Sequence, residues 1–317
     1  MTADRSALLA GDTRHAFDPQ RASGRRQGDL ARGLRAATIL GWKTEANWTD
    51  PLLFLIYTVA KPLASALLLV AMIGVVGGAA SQELRGFVVV GSAIWAFVMS
   101  GIGGMSWTIL DDRERYRMLK YVYVSPTDFL VVLLGRGASR IAVGAVGAAI
   151  TLVFGVVVLG LPFDPGAVDW PLFLIAMVVG TVAVGALGVL LAGVVLQTRQ
   201  ESWQYPEAVA GALFLITGAV FPLAVLPDPV EFLGWLMPVT WWVAAVREAL
   251  FPGSPSSIGG EGSLWTAVTG TAAPSSEVLL GALLVTGAVG TLAATVLFGI
   301  SERRAKEQGL LDRTTGS

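Results

Sequence analysis

The sequence predicts an all-α integral membrane protein with six transmembrane helices and with both termini on the cytosolic side. Hydrophobic residues make up 54% of the 317 residues and charged residues only 14%, whereas a soluble domain carries about 25% charge. The hydrophobic residues gather in runs of about 20, the length that a helix needs to cross the hydrocarbon core. These runs are apolar on every face, which excludes the alternating strands of a membrane β-barrel.

Six apolar runs are predicted to be the spans, and the basic residues set their direction. Of the 22 Lys and Arg residues, 19 fall on the side that also holds both termini, and two fall on the opposite side. Because basic residues accumulate on the cytosolic side of membrane proteins, both termini are predicted to be cytosolic. The predicted spans cover residues 52–76, 86–110, 130–161, 170–196, 208–226 and 278–300.

Two segments precede the first span. Residues 1–28 are rich in Arg, Asp, Gly and Ser and predict a disordered cytosolic tail. Residues 29–50 predict an amphipathic helix at the cytosolic interface, with Arg32 and Arg35 at the headgroups and Trp42 in the aromatic belt. This helix can act as a membrane anchor alone, or it can also contact a partner subunit.

Residues 111–129 form the most charge-dense stretch of the chain. They predict a short helix from about Asp111 to Lys120, because acidic residues near the start and a basic residue near the end suit the helix dipole. Either Thr127 or Asp128 can cap the helix that follows. The stretch can be a solvated connector, but its Tyr and Met side chains favour a surface that docks another protein.

Residues 227–252 are too apolar for an ordinary loop and too interrupted for a span. Pro238 divides them, which predicts a re-entrant hairpin of two short helices that dips into the outer leaflet. Residues 253–276 are rich in Gly, Ser and Thr and predict an exposed outer loop. Residues 303–317 predict a second cytosolic tail.

The composition excludes several kinds of chemistry. The chain has no Cys and one His, which excludes disulfides, thiolate metal sites and sites with several His ligands. It contains no G-x-x-x-x-G-K-[ST] motif, so it has no phosphate-binding loop of its own. The net charge of -1 does not indicate nucleic acid as a partner. No catalytic residue, no metal ligand and no bound cofactor is therefore predicted.

Four residues are candidates for lining a transport path. Lys61 is a charge within a predicted span and is a functional candidate by default, although a lysine can also snorkel to the interface. Trp95, Trp107 and Trp241 can stack on a flat or amphipathic ligand, although most membrane tryptophans anchor the protein at the interface. The largely uncharged spans favour a lipophilic cargo, since desolvating an unpaired ion is costly.

Three features follow one another along the chain in a specific order. A basic amphipathic helix leads into a first span with a mid-helix proline, a charged cytosolic element follows the second span, and a proline-broken outer element precedes the last span. The residues that carry these features are Lys61, Pro62, 114–120, 124–127, 134–136, 221–227, 235–240 and Arg247. In this order they resemble the permease subunit of an ABC-2 type exporter, of the daunorubicin- and multidrug-resistance kind.

The resemblance implies a dimer in a bacterial cell membrane, formed by two copies or with a sister chain, that contacts membrane lipids. Each permease docks a separate ABC ATPase subunit, which binds ATP and Mg, and the exporter moves a drug, an antibiotic, a lipid or a glycolipid. The helix at 29–50 corresponds to a connecting helix beside the ATPase. The residues expected to couple the permease to the ATPase are Arg113, Glu114, Arg115, Tyr116, Arg117, Met118 and Leu119.

Two other classes of function are weighed against this one. An ion-coupled secondary transporter predicts internal repeats and broken helices near the membrane midplane, and the first and last three spans show no clear repeat. A membrane-embedded enzyme needs intramembrane clusters of carboxylates, His or metal ligands, and the predicted spans hold none.

Overall fold

Helices make up the regular secondary structure of the described part of the chain. The computed structural model describes residues 19–46, 51–76, 81–125, 127–198 and 204–309. The helices are α1 (Pro19–Ala46), α2 (Pro51–Val76), α3 (Ser81–Leu110), α4 (Leu119–Val124), α5 (Phe129–Val157), α6 (Trp170–Gln197), α7 (Gln204–Ile216), α8 (Asp228–Trp235), α9 (Pro238–Leu250), α10 (Leu264–Thr269) and α11 (Ser276–Glu307). A π-helical turn, Asp111–Arg115, follows α3, and a 3-10 turn, Leu223–Val225, precedes α8.

Four of the described helices, α3, α5, α6 and α11, are long and apolar enough to cross a membrane. The number becomes five if α8 and α9, which meet at a bend of 82°, form one further span. The predicted all-helical membrane class is therefore confirmed, and four of the six predicted spans coincide with these helices. α2 also follows the predicted first span closely, since it covers Pro51–Val76.

The predicted fifth span, residues 208–226, is wrong as a continuous helix. α7 has 13 residues and ends at Ile216. Its length of about 20 Å, at 1.5 Å per residue, falls short of a hydrocarbon core of about 30 Å. The chain turns at Gly218, where φ is 67°, a left-handed conformation that glycine adopts without a steric penalty.

Three other boundaries differ from the predicted ones. α1 begins at Pro19, so residues 19–28 of the predicted disordered tail are helical, and residues 1–18 lie outside the described residues. α5 ends at Val157, before the predicted end of the third span. α11 continues to Glu307, through the start of the predicted C-terminal tail, because Arg, Ala, Lys and Glu are good helix formers.

Two aspartates fix the beginnings of α5 and α6. The Asp128 side chain accepts a hydrogen bond of 2.9 Å from the Leu130 amide, so Asp128, and not Thr127, caps α5. The Asp169 side chain accepts one of 3.0 Å from the Leu172 amide. The Asp169 amide in turn donates to the Ala249 carbonyl at 3.0 Å, which ties the start of α6 to the end of α9.

Small residues allow the central helices to approach closely. α3 packs against both α5 and α6. Gly144 of α5 lies directly against Ser100 of α3, and a Cβ at Gly188 of α6 would lie 2.6 Å from the Gly101 carbonyl oxygen of α3. Close backbone contact between small residues is a usual packing device for helices in lipid.

The long helices run between two ends of the bundle. We call the end with residues 111–124 the charged end and the end with residues 228–250 the hairpin end. α9 belongs to the core at the hairpin end, where the Trp242 side chain has no exposed surface. Trp242 occupies the space left by Gly180 and meets Phe97 edge-on at 5.2 Å between ring centroids. Burial within the bundle explains why α9 is so apolar.

Candidate functional site: an aromatic cavity and the charged end

A cavity of about 580 Å³ lies among α2, α3, α5 and α7. Its aromatic side chains are Trp95, Trp107 and Phe214, and the Trp95 and Phe214 rings are 4.8 Å apart at a tilt of 52°. The lining residues of α3 extend from Ser92 to Trp107, a distance of about 22 Å along the helix axis at 1.5 Å per residue. The cavity is thus long, largely apolar and suited to stacking contacts.

The predicted path residues separate into three groups. Trp95 and Trp107 both line the cavity. Trp241 lies elsewhere: it is 5% exposed, its indole donates to the Trp235 carbonyl at 2.7 Å, and it packs edge-on against Trp265. The Lys61 side chain lies outside the described part of the chain. The structure therefore brings two of the three candidate tryptophans together.

The polar groups of the cavity are unevenly placed. The Ser92 hydroxyl lies on the cavity wall and is buried without a hydrogen-bond partner among the described residues. Glu45, Arg140 and Glu207 line the cavity at the charged end. Across the described residues, no group of three or more His, Cys, Asp and Glu side chains could hold a metal ion. The charged lining side chains thus gather at one end of the cavity.

A buried ion pair joins the π-helical turn to α5 at the charged end. Arg136 donates from Nη1 to both carboxylate oxygens of Asp112. Both side chains are only 3% exposed. A buried ion pair is costly to break one partner at a time, because the remaining charge is left without a counter-charge. The pair therefore fixes the turn against α5.

A second ion-pair group includes α1. Arg140 of α5 donates from Nη2 to Asp111 at 2.8 Å and to Glu45 of α1 at 2.6 Å. The three side chains are 18%, 23% and 25% exposed, respectively. One guanidinium nitrogen thus joins α1, α5 and the π-helical turn at the floor of the cavity.

Arg113 faces the interior. Its side chain is 5% exposed, and Nε donates to Glu114 at 2.9 Å. Nη1 donates to the carbonyls of Val195 and Thr198, at 3.3 and 3.0 Å. These carbonyls are at the C-terminal end of α6, where a cation is favourable. Arg113 therefore ties the π-helical turn to α6 instead of extending to the surface.

Three consecutive residues of the charged segment, Arg115, Tyr116 and Arg117, are exposed. The short helix predicted from about Asp111 is wrong in position, because a π-helical turn and a break precede α4, which begins only at Leu119. The break contains Arg117 at φ 51°, a left-handed conformation that is strained for a residue with a side chain. It presents the three side chains outward, with the Arg115 guanidinium 5.4 Å from the Tyr116 ring centroid.

α1 packs against α5 through its small residues. A Cβ at Gly41 would lie 2.8 Å from the Arg136 Cα, and Ala37 meets Gly135 at similarly close range. The Ser139 hydroxyl donates to the Thr38 carbonyl at 2.8 Å. The predicted interfacial side chains of this helix are exposed on its other faces: Arg32, Arg35 and Trp42.

A family model for ABC-2 type transporters matches residues 37–251, which is more than half of the chain. The chain belongs to the ABC-2 type transporter family. The match confirms the resemblance seen in the sequence, and it makes the chain a membrane component of an ABC transporter. The matched region begins within α1 and ends after α9, so it includes the cavity, both ion-pair groups and the exposed segment. No curated protein sequence matches the chain significantly.

In this ABC-2 permease, α4 is held on the bundle by aromatic packing. Leu119 is 2% exposed, and the Tyr123 ring stacks on Phe129 at 4.3 Å between centroids. Lys306 of α11 lies 5.1 Å from the Tyr123 ring centroid. Burial, with the nearby carboxylates of Glu302 and Asp128, raises the pKa of the Tyr123 phenol above its ordinary value. The phenol is therefore neutral at physiological pH.

At the hairpin end of the permease, Arg247 is buried and bound by backbone carbonyls. Its Nη2 donates to Phe87 and Ala219 at 3.2 and 3.1 Å, and its guanidinium lies 3.5 Å from the Phe87 ring centroid. The Ala219 carbonyl packs directly against Gly91, where a Cβ would collide with it. Arg247 thus holds the break after α7 between α3 and α9.

The sequence did not predict that five residues of the ABC-2 permease form ion pairs: Glu45, Asp111, Asp112, Arg136 and Arg140. The pairs are separated by 24 residues for Asp112 and Arg136 and by 29 for Asp111 and Arg140. The available signal was the adjacent pair Asp111 and Asp112 before the short connection, followed by Arg136 and Arg140, one helical turn apart, after it. For Glu45, which lies far from Arg140 in sequence, no signal was available.

Proposed function

We propose that this ABC-2 protein is the permease subunit of an ATP-driven exporter in a bacterial cell membrane. Its cargo is a lipophilic or amphipathic molecule, since aromatic and apolar side chains line most of the cavity. The observation that carries the proposal is the connection between this cavity and the exposed segment Arg115–Arg117. Arg140 lines the cavity and is paired with Asp111, which begins the turn that presents the exposed segment.

The energy comes from a separate ABC ATPase, because the chain has no phosphate-binding motif of its own. ATP and Mg bind to that subunit. Arg and Tyr are enriched where proteins bind each other, and both are exposed in the segment Arg115–Arg117. Arg113 and Leu119 of the predicted coupling set are buried and support the segment from within. α1, with its exposed Arg32 and Arg35, packs beside Thr127 at the end of the same charged stretch.

The proposed membrane arrangement has six spans, with both termini and the charged end on the cytosolic side. α2 supplies one of the two spans beyond the four long apolar helices, and the broken segment from α7 through the 3-10 turn Leu223–Val225 supplies the other. α8 and α9 form the re-entrant hairpin on the outer side. Two copies, or one copy and a sister chain, together form the transport path.

The first experiment tests the docking surface. A P-loop ATPase is sought in the neighbouring reading frames and co-expressed with the chain, and the amount that co-purifies is measured. Replacing Tyr116 and Arg117 by alanine is expected to weaken docking by roughly 30-fold or more, since a single interface hot spot of either residue type contributes about 2 kcal/mol or more.

Tyr205→Ala is the matched control, because Tyr205 and Tyr116 are both 41% exposed. The control is expected to retain the ATPase. Full co-purification after the double replacement, or an equal loss in the control, would contradict the proposed docking surface. Cargo transport by the permease alone in vesicles with an ion gradient would instead favour an ion-coupled transporter.

A further inference from the structure

The first observation concerns the position of Arg140. It is the one basic side chain described on the cavity wall, beside Glu45 and Glu207. Its aliphatic carbons pack on Gly104, where a Cβ would lie 2.9 Å from Cβ and Cδ of the arginine. The glycine thus lets the arginine stem cross the surface of α3 and places the guanidinium at the cavity floor. A molecule that fills the cavity contacts this side chain.

The second observation is that Arg140 shares a single nitrogen between two carboxylates. Asp111 belongs to the π-helical turn and Glu45 belongs to α1. All three side chains are partly exposed, and ion pairs in such surroundings contribute little to stability because water competes for them. The neighbouring Arg136–Asp112 pair is buried and fixed by comparison. Arg140 can therefore exchange partners at low cost while Arg136 holds the turn in place.

The third observation links Asp111 to the protein surface. The Tyr116 amide donates to the Asp111 carbonyl at 2.8 Å, and the Met118 amide donates to the Asp112 carbonyl at 2.8 Å. A displacement of Asp111 is passed directly to the backbone of Tyr116. The cavity floor and the exposed segment are thus separated by one side chain and one helical turn.

We propose that Arg140 is a positioning residue that couples occupancy of the cavity to the conformation of the exposed segment. Cargo in the cavity changes how Arg140 divides its contacts between Glu45 and Asp111, and this moves α1 and Tyr116 relative to each other. A ligand shifts such an equilibrium only through different contacts in the two states, and Arg140 supplies those contacts. This inference rests on the proposed function, because the segment is taken to face the ATPase.

The test fills the cavity covalently, so no natural cargo is needed. Because the chain has no cysteine, Ala96→Cys on the cavity wall gives one site for benzylmaleimide. The labelled permease is reconstituted with its ATPase in liposomes, and the ATPase rate is compared with that of the unlabelled complex. The cysteine-free parent treated with the same reagent controls for cysteines of the ATPase.

Labelling is expected to change the ATPase rate by about fivefold or more when Arg140 is present, the lower range of allosteric couplings. In the Arg140→Gln background the response, measured relative to that variant's own unlabelled rate, is expected to fall below about twofold. Arg140→Lys keeps a charge that can pair and is expected to retain most of the response. Lys306→Gln removes the pair with Glu302 at the same end, away from the cavity lining, and is expected to retain the labelling response.

A full labelling response in Arg140→Gln overturns the proposal, and so does the absence of a response in the Ala96→Cys permease that keeps Arg140. If Arg140→Gln does not yield a stable complex, Glu45→Gln removes only the α1 contact and must reduce the response. An unchanged response in that variant also overturns the proposal. Failure of the ATPase to co-purify with the parent would contradict the proposed function itself, so the two failures are distinguishable.

Discussion

The buried pair of Asp112 and Arg136 allows a quantitative test of how the charged end is held. Asp112→Asn leaves the Arg136 guanidinium, at 3% exposure, without a counter-charge. Nε of Arg136 already has no partner among the described residues. Removing one partner of a buried pair typically costs about 3–5 kcal/mol. We therefore expect the single variant to lose a large part of the stability of the charged end.

The companion variant replaces both charges. In Asp112→Leu with Arg136→Met, no charge remains buried, and side chains of similar volume fill the space. Such replacements are neutral or stabilising by about 1–4 kcal/mol in other proteins. The double variant is thus expected to be more stable than Asp112→Asn, although it changes more atoms.

The assay is thermal unfolding of the detergent-purified permease, followed by the loss of monodisperse protein on size-exclusion chromatography. The native chain and the double variant are expected to have similar midpoint temperatures. The midpoint temperature of Asp112→Asn is expected to be clearly lower than both. A double variant as unstable as Asp112→Asn would refute this reasoning, because the loss would then come from packing at the site and not from an unpaired charge.

Two further predictions concern the exposed segment and the membrane topology. Arg117→Gly is expected to stabilise the protein by about 1 kcal/mol relative to Arg117→Ala, because only glycine relieves a left-handed φ; equal midpoint temperatures would contradict the strain at this break. In the cysteine-free chain, Tyr121→Cys is expected to react with an impermeant maleimide only after cells are opened, and Glu261→Cys already in intact cells. The opposite labelling pattern would reverse the proposed orientation.

The sequence was sufficient to predict the membrane class and the order of segments. The apolar runs around α3, α5, α6 and α11 are properties of short stretches, and their length follows from the thickness of the hydrocarbon core. The break at Pro238 was also predictable, since proline has no amide hydrogen to continue a helix. The end of α7 at Ile216 was not predicted, because the apolar run continues beyond it and the turn at Gly218 is held by contacts with Arg247.

The composition of the charged stretch indicated a docking surface, but only the tertiary structure decided which of its side chains face outward. Arg113 and Arg115 are two residues apart and equally basic, yet one is bound to the end of α6 and the other is exposed. The packing of α3 against α5 brings Asp111 to Arg140, and α2 and α7 complete the cavity beside Trp95. Apolar length and charge are encoded locally in the chain, whereas ion pairs and cavities depend on helices that meet only when the chain is folded.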